Sequence, residues 1–357
     1  LRPDLLADSG TADINDWGNT FTATVNTVEA NATGTGLHPV TRVGKFTNLQ
    51  ELLALSSAFT DVVTRTQVAS GRTGLTLPEL VGGRRKIVTI TPSQEVKDFI
   101  TDLAHRAQNI DPRRMDLDNI LKISNDGRNV SLDPRLANLA KPETSRAKTV
   151  ADEIMRIHHQ TADNVYLSPD TKAPMERTGG LQIVFCDRGT PKQGQSFSMY
   201  SAIRDELVEQ GMDPAAIRFI HDARTAEDRL RLFDECNRGA VSVLIGSTEK
   251  MGTGTNVQTR AVALHHVDVP WRPADLEQRE GRVIRQGNQN AAVEILNYVT
   301  EGSFDTFMWQ KVEAKAMFIE QIKRNEIDAT EVDDIGGEFT ASAAETKAAS
   351  TGDPPYI

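Results

Sequence analysis

The chain has 357 residues, 38% of them hydrophobic and 25% charged, with a formal net charge of −10. That length supports one large or two modest domains with an apolar core, and the acidic balance excludes a generally basic nucleic-acid binder while leaving room for a local basic groove. No run of about 18 apolar residues and no basic-then-apolar leader occurs, so no stretch reads as a membrane span or signal peptide. Two cysteines, Cys186 and Cys236, exclude a disulfide framework and fit a reducing cytoplasm. The sequence opens at Leu1 without Met, which reads as a fragment or processed piece.

Residues 1–80 carry weak signals. Asp16-Trp17 and Phe21 are apolar anchors, and Asn31 to Gly36 reads as a loop. Between Phe46 and Val63 apolar residues recur at near-helical spacing. Gly44-Lys45 is no phosphate loop, because Pro39 stands where that motif needs Gly and Phe46 where it needs Ser or Thr. Lys86 to Ile90 (KIVTI) predicts a strand, and Glu95 to Gln108 a helix led in by Pro92-Ser93. Residues 109–148 read as an insertion with short helices, followed by a helix over Ala147 to Gln160. Its His158 and His159 are adjacent and share no helical face, so they read as a surface pair and not a metal site.

From residue 181 the pattern alternates. Strands are predicted over 181–186, 217–220, 241–245, 261–267 and 293–299. Helices are predicted over 200–210, 225–237 and 274–285. Thr225 and Asp228 have capping-box spacing, and Gly211 and Gly239 stand where helices stop. Such alternation predicts a parallel sheet covered by helices on both faces, with ligands beyond the carboxyl ends of the strands. Ser303 to Ile327 reads as an amphipathic helix. After Glu331 the chain turns acidic, then Ala- and Thr-rich.

The chemistry concentrates between Gly246 and Asn288. Ser247-Thr248 precedes a glycine-rich turn with Gly252 and Gly254, closed by Asn256. Such turns let backbone N–H groups approach a phosphate. Gln278, Arg282 and Arg285 are spaced by four and three residues, which predicts one helical face suited to a bidentate grip on phosphate oxygens. Asp234-Glu235, the one acid pair worth weighing for Mg²⁺, lies at helical spacing and is rejected. His265, His266 and Asp268 are rejected as a metal site because strand alternation sends the two histidines to opposite faces.

These residues carry a resemblance. Ser247-Thr248-x-x-x-Gly252-x-Gly254-x-Asn256 resembles motif V of superfamily 2 helicases in its Swi/Snf-type form. Gln278-x-x-Gly281-Arg282-x-x-Arg285 resembles motif VI, and Trp271-x-Pro273 falls where the Swi/Snf-type signature has its own Trp-x-Pro. From Phe46 to Pro354 the chain is similar to the helicase half of large phage and plasmid helicase–methyltransferase proteins of the antirestriction type.

The resemblance implies an α/β, RecA-like second helicase lobe with a helical C-terminal extension. Residues 1–85 would be the tail of the first lobe and a linker. Residues 86–302 would be the second lobe, with an insertion near 109–180, and 303–357 the extension and tail. Arg282 and Arg285 would be arginine fingers toward the γ-phosphate of ATP, and Gln278 would orient the nucleotide or attacking water. Gly252, Gly254, Asn256 and Gly281 would shape the nucleotide-linked turns. Thr248, Ser247 and Asp187 would meet DNA, although Asp187 reads equally well as a strand-end cap. Trp271 reads as a packing residue, with stacking on a base as the other reading. Mg²⁺ ligands and the phosphate loop would lie on a missing N-terminal lobe, so the isolated chain would not hydrolyse ATP. The other reading is a catalytically inactive nucleic-acid- or protein-binding module. Asp353-Pro354-Pro355-Tyr356 matches the adenine-methyltransferase tetrapeptide, but no cofactor-binding strand–turn precedes it, and it reads as a turn.

Overall fold

A computed structural model of the chain describes residues 3–30, 37–58, 76–109, 118–192, 194, 197–251, 254 and 256–323. The Asp353–Tyr356 tetrapeptide and Gly252 lie outside them.

The N-terminal part contains α1 (Pro3–Asp8), α2 (Ile14–Phe21), the antiparallel hairpin β1 (Thr22–Ala30) and β2 (Leu37–Phe46), and α3 (Leu49–Ser57). The sheet that follows is built from β3 (Glu79–Leu80), β4 (Lys86–Ile90), β5 (Leu181–Phe185), β6 (Ile217–Phe219), β7 (Val243–Gly246), β8 (Ala261–His266) and β9 (Ala292–Thr300). Its order is β3-β9-β8-β5-β7-β6, with β4 also pairing β9. Every pairing is parallel. Central β5 registers Ile183 against Leu244 on one side and Leu264 on the other. All five β5 residues are buried, as expected for a parallel strand covered on both faces.

Side-chain alternation divides the core. On one face Val184, Val243, Ala263 and Leu296 pack against α6 (Arg146–Gln160) and α7 (Met199–Glu209) through Val150, Ile154, Ile203 and Leu207. On the other, Ile183, Phe185, Leu244 and Ile295 meet Leu232, Phe233 and Cys236 of α8 (Ala226–Arg238). The predicted capping box opens α8, with Thr225 Oγ1 accepting from Asp228 N–H and Asp228 from Thr225 N–H. This is the RecA-like lobe expected from the sequence.

Three boundaries differ from expectation. Glu79 and Leu80 belong to the sheet, where β3 pairs with β9, and Arg85 is salt-bridged to Glu280. Within 109–180, the buried face of α6 covers the sheet and belongs to the core. The segment also contributes α5 (Ile120–Leu132), which packs on the preceding α4 (Gln94–Gln108) through Val96, Ile100, Leu103, Ile123 and Val130. The third difference is the helix carrying Gln278, described below.

Buried Arg146 ties these parts together. It donates to the carbonyls of Val267, Tyr298 and Ser131, to Thr300 Oγ1, and to the Asp305 carboxylate. Asp305 lies on α11 (Phe304–Lys323), whose Phe304, Met308, Trp309 and Val312 pack on Val269, Leu276 and Val299. No described helix is long and apolar enough to cross a membrane.

Candidate nucleotide and nucleic-acid site

Parallel neighbours end on the same side, so the residues after β5, β7 and β8 converge. They are Asp187-Arg188, Ser247-Thr248 and Val267-Asp268. Gly246 ends β7 without room for a side chain: a Cβ would lie 2.6 Å from Ile220 Cγ2 and 2.6 Å from Met251 Sδ. Two short helices complete the edge, α9 (Thr248–Met251) and α10 (Pro273–Glu280), the latter with Pro at its first position.

Arg279 of α10 is the centre of the convergence. Leu276 is buried against the core, and the residue three positions on faces the same way, so Arg279 points inward and is fully buried. It donates to Asp187 Oδ2 at 2.7 Å, Thr248 Oγ1 at 2.8 Å, the Asp268 carbonyl at 3.0 Å and Asp268 Oδ1 at 3.2 Å. Thr248 in turn donates its N–H to Asp187 Oδ1 at 2.6 Å and its hydroxyl to Asp187 Oδ2 at 2.9 Å. Asp268 Oδ2 accepts the N–H groups of Asp187 and Arg188. Burial opposes the charge on Asp187, but Arg279 and Thr248 hold its carboxyl below the usual range.

Next to this cluster Glu280 receives a forked bond from Arg85 at 2.8 and 2.7 Å. Burial alone would raise the Glu280 pKa, yet Arg85 and His266 bring it to about 2. Burial pushes His266 down to about 4 and His265 to about 3. The His265 ring lies between Tyr298 Oη at 2.8 Å and Gln182 Oε1 at 3.0 Å. No group of three or more His, Cys, Asp or Glu is placed to hold a metal among the described residues.

Sequence reasoning missed Arg279 and the burial of Asp268. The available signal was the i+3 step from Leu276, which the spacing of the neighbouring Gln278 masked. The expected face of Gln278, Arg282 and Arg285 does not exist, because α10 ends at Glu280 with Gly281 as its cap. Arg282 N–H bonds Arg279 O and Val283 N–H bonds Glu280 O, which are three-residue turns. Asn288 Nδ2 then takes the carbonyls of Val283 and Ala261 and anchors the turn to β8. Arg282 is half-buried, while Gln278 and Arg285 are exposed. Burial, and then the charge of Arg285, lower the Arg282 pKa.

Thr248 and Asp187, both expected at the DNA, lie in this cluster. Both donors of Thr248 are spent on Asp187, and the Asp187 carboxylate is spent on Thr248 and Arg279. Ser247 is buried, its Oγ accepting from Lys250 N–H. Gly254 is exposed in the left-handed region at φ +72°, and exposed Asn256 is tethered by its carbonyl to Asn237 Nδ2 at 2.8 Å. Trp271 is 42% exposed and packs beside Arg128 and Lys315.

Comparison with known families matches residues 174–287 to the helicase conserved C-terminal domain. Residues 174–287 are thus similar to helicase C-terminal domains. The chain is 34% identical over 83 residues to Defense against restriction protein B of Escherichia phage P1, covering 23% of the chain and 4% of that protein. It is 29% identical over 138 residues to the DNA repair protein RAD5 of Candida albicans, covering 36% of the chain and 12% of that protein. Thus the domain spans a small part of either relative. Among solved structures, the C-terminal part of the Fun30 ATPase domain aligns over 84% of this chain and 83% of that one, at 14% identity and a TM-score of 0.34. The helicase MrfA bound to DNA aligns over 34% of this chain and 16% of that one, at 15% identity and a TM-score of 0.27. The fold assignment itself rests on the strand order and register above.

Proposed function

We propose that this helicase domain is the second lobe of an ATP-dependent DNA helicase or translocase, completed by a first lobe outside these residues. The observation that carries the reading is the Arg279 cluster. It fixes the ends of β5, β7 and β8 relative to the turn that presents Arg282 and Arg285. Planar guanidinium groups such as those of Arg282 and Arg285 suit a forked grip on a polyphosphate between the lobes.

In this reading Arg282 and Arg285 stabilise charge that develops on the γ-phosphoryl group, and exposed Gln278 orients the nucleotide or the attacking water. Gly252, Gly254, Asn256 and Gly281 shape the backbone around that site. Thr248 and Asp187 fix the end of β7, and exposed Gly254 and Asn256 would face DNA. Mg²⁺ when bound neutralises phosphate charge, with ligands assigned to the first lobe. The identity with a phage antirestriction protein supports a longer protein, in which a methyltransferase domain is a further proposed neighbour.

The test is Arg285→Ala in a protein that joins this chain to a first lobe bearing a phosphate loop. DNA-stimulated phosphate release should fall by about 10²–10⁴ in kcat with a smaller change in KM. DNA affinity without nucleotide should stay unchanged. Intact turnover with lost DNA binding would make the turn a DNA-gripping element instead.

A further inference from the structure

Most buried or half-buried arginines of the described chain face a carboxylate. Arg85 has Glu280, Arg106 has Asp118 and Asp126, Arg146 has Asp305, and Arg279 has two aspartates. Arg229 and Arg260 show no carboxylate partner among the described residues, and Arg128 and Arg188 also differ. Both are half-buried, and neither is within salt-bridge distance of a carboxylate among the described residues. Arg188 donates to the amide oxygens of Asn125 and Asn129. Its Nε is buried and without an acceptor. Arg128 donates to the Val269 carbonyl at 3.1 Å.

The two lie side by side. Asn125, Arg128 and Asn129 share a face of α5, and that face holds the Arg188 guanidinium. Burial first, and then Arg128, lower the Arg188 pKa to about 10. The acids nearest to them, Asp187 and Asp268, are already gripped by Arg279. Both guanidinium groups thus have only neutral hydrogen-bond partners, with Asp268, Asp187 and Asp305 acting on Arg128 without a direct contact, and a directly bonded anion would add a charge-assisted contact.

The positive charge continues outward. Arg128 lies 5.1 Å from the centroid of the Trp271 ring, and Lys315 of α11 lies 5.8 Å from it. Lys315 also donates to the Trp271 carbonyl, and exposed Arg272 is close enough to lower its pKa after burial and Lys311. An extended row of cations beside an exposed aromatic suits a chain of phosphates better than a single nucleotide.

We propose that Arg188 and Arg128, continued by Trp271, Arg272 and Lys315, form a track for the phosphodiester backbone of a DNA strand. The track joins the end of central β5 to helix α5 and to the C-terminal α11. It rests on the helicase reading above and adds residues that the motif V turn does not supply.

The test uses the whole chain and a short fluorescein-labelled DNA oligonucleotide, read by anisotropy across a salt series. Arg128→Gln and Arg188→Gln should each weaken binding several-fold and flatten the slope of log K against log salt by about 1, the double variant by about 2. Arg231→Gln, an exposed change on α8, should leave binding unchanged. A second measurement covers the case in which Arg188→Gln fails to fold. In the wild-type chain the Arg188 Nε–H resonance should shift on adding the oligonucleotide and much less on adding ATP. Wild-type binding that both glutamine variants keep in full would overturn the track and leave the helicase reading standing. No binding of DNA by the wild-type chain would overturn both. A shift with ATP alone would make this a nucleotide site and overturn the track.

Discussion

Removing the Arg279 side chain should cost far more than a surface ion pair. Arg279→Met keeps much of the volume but leaves Asp187 and Asp268 facing each other around a lost cation. Arg279 is fully buried, and the side chain of Asp268 is 7% exposed. Breaking such a buried pair from one side costs about 3–5 kcal/mol, because the remaining charge stays uncompensated. Against a domain stability of roughly 5–15 kcal/mol, the variant should fold with a clearly lowered urea midpoint. The partner variant Asp187→Asn removes one of the two charges. Combined with Arg279→Met it should destabilise by less than the sum of the single changes, with a coupling of about 2 kcal/mol or more. Urea unfolding of wild type, both singles and the double measures that coupling. Additivity within about 0.5 kcal/mol would mean that the two residues do not act together, and the clamp would be refuted.

Acid should destabilise the chain through its two core histidines. Burial holds His265 near 3 and His266 near 4, whereas both titrate near 6.5 when unfolded. The unfolded chain therefore takes up protons first, and stability falls as pH drops from about 6.5 toward 4. The combined loss is on the order of 5 kcal/mol, and a denaturant midpoint that stays flat over that window would contradict it. Glu280 works at lower pH: its depressed folded value of about 2 gives stability present above about 4.5 and lost as pH falls toward 2. Gly239→Ala should lower stability by about 2–4 kcal/mol in thermal melts. Gly239 caps α8 at φ +80°, and a Cβ there would lie 2.0 Å from the buried Arg260 guanidinium. Thr225→Ala should cost about 1 kcal/mol by the same assay, since it removes half of the capping box.

The parallel sheet was legible in the sequence because its signals are local. LQIVF, VLIG and AVALHH are short apolar runs separated by helical patterns, and a strand covered on both faces has no other way to read. Caps at Thr225 and Gly239 were legible for the same reason, as each depends on a few neighbouring residues. The order of the glycine turn before the Arg282–Arg285 pair was legible as well, so the domain could be read as a helicase lobe.

The end of α10 was not legible. A spacing of four and three continues through Gln278, Arg282 and Arg285 whether or not the backbone remains helical. Asn288, bonded to Ala261 on β8, helps draw the chain into turns after Glu280. Arg279 meets Asp187 across 92 residues of sequence, and Arg85 meets Glu280 across 195. No periodicity encodes such pairs, because they form only when parallel neighbours bring distant strand ends to one edge. The same holds for Arg128 and Arg188, which meet only because α5 packs beside the end of β5. Sequence supplied the chemical groups and the layers, and tertiary packing decided which charges are buried, which are neutralised and which face outward.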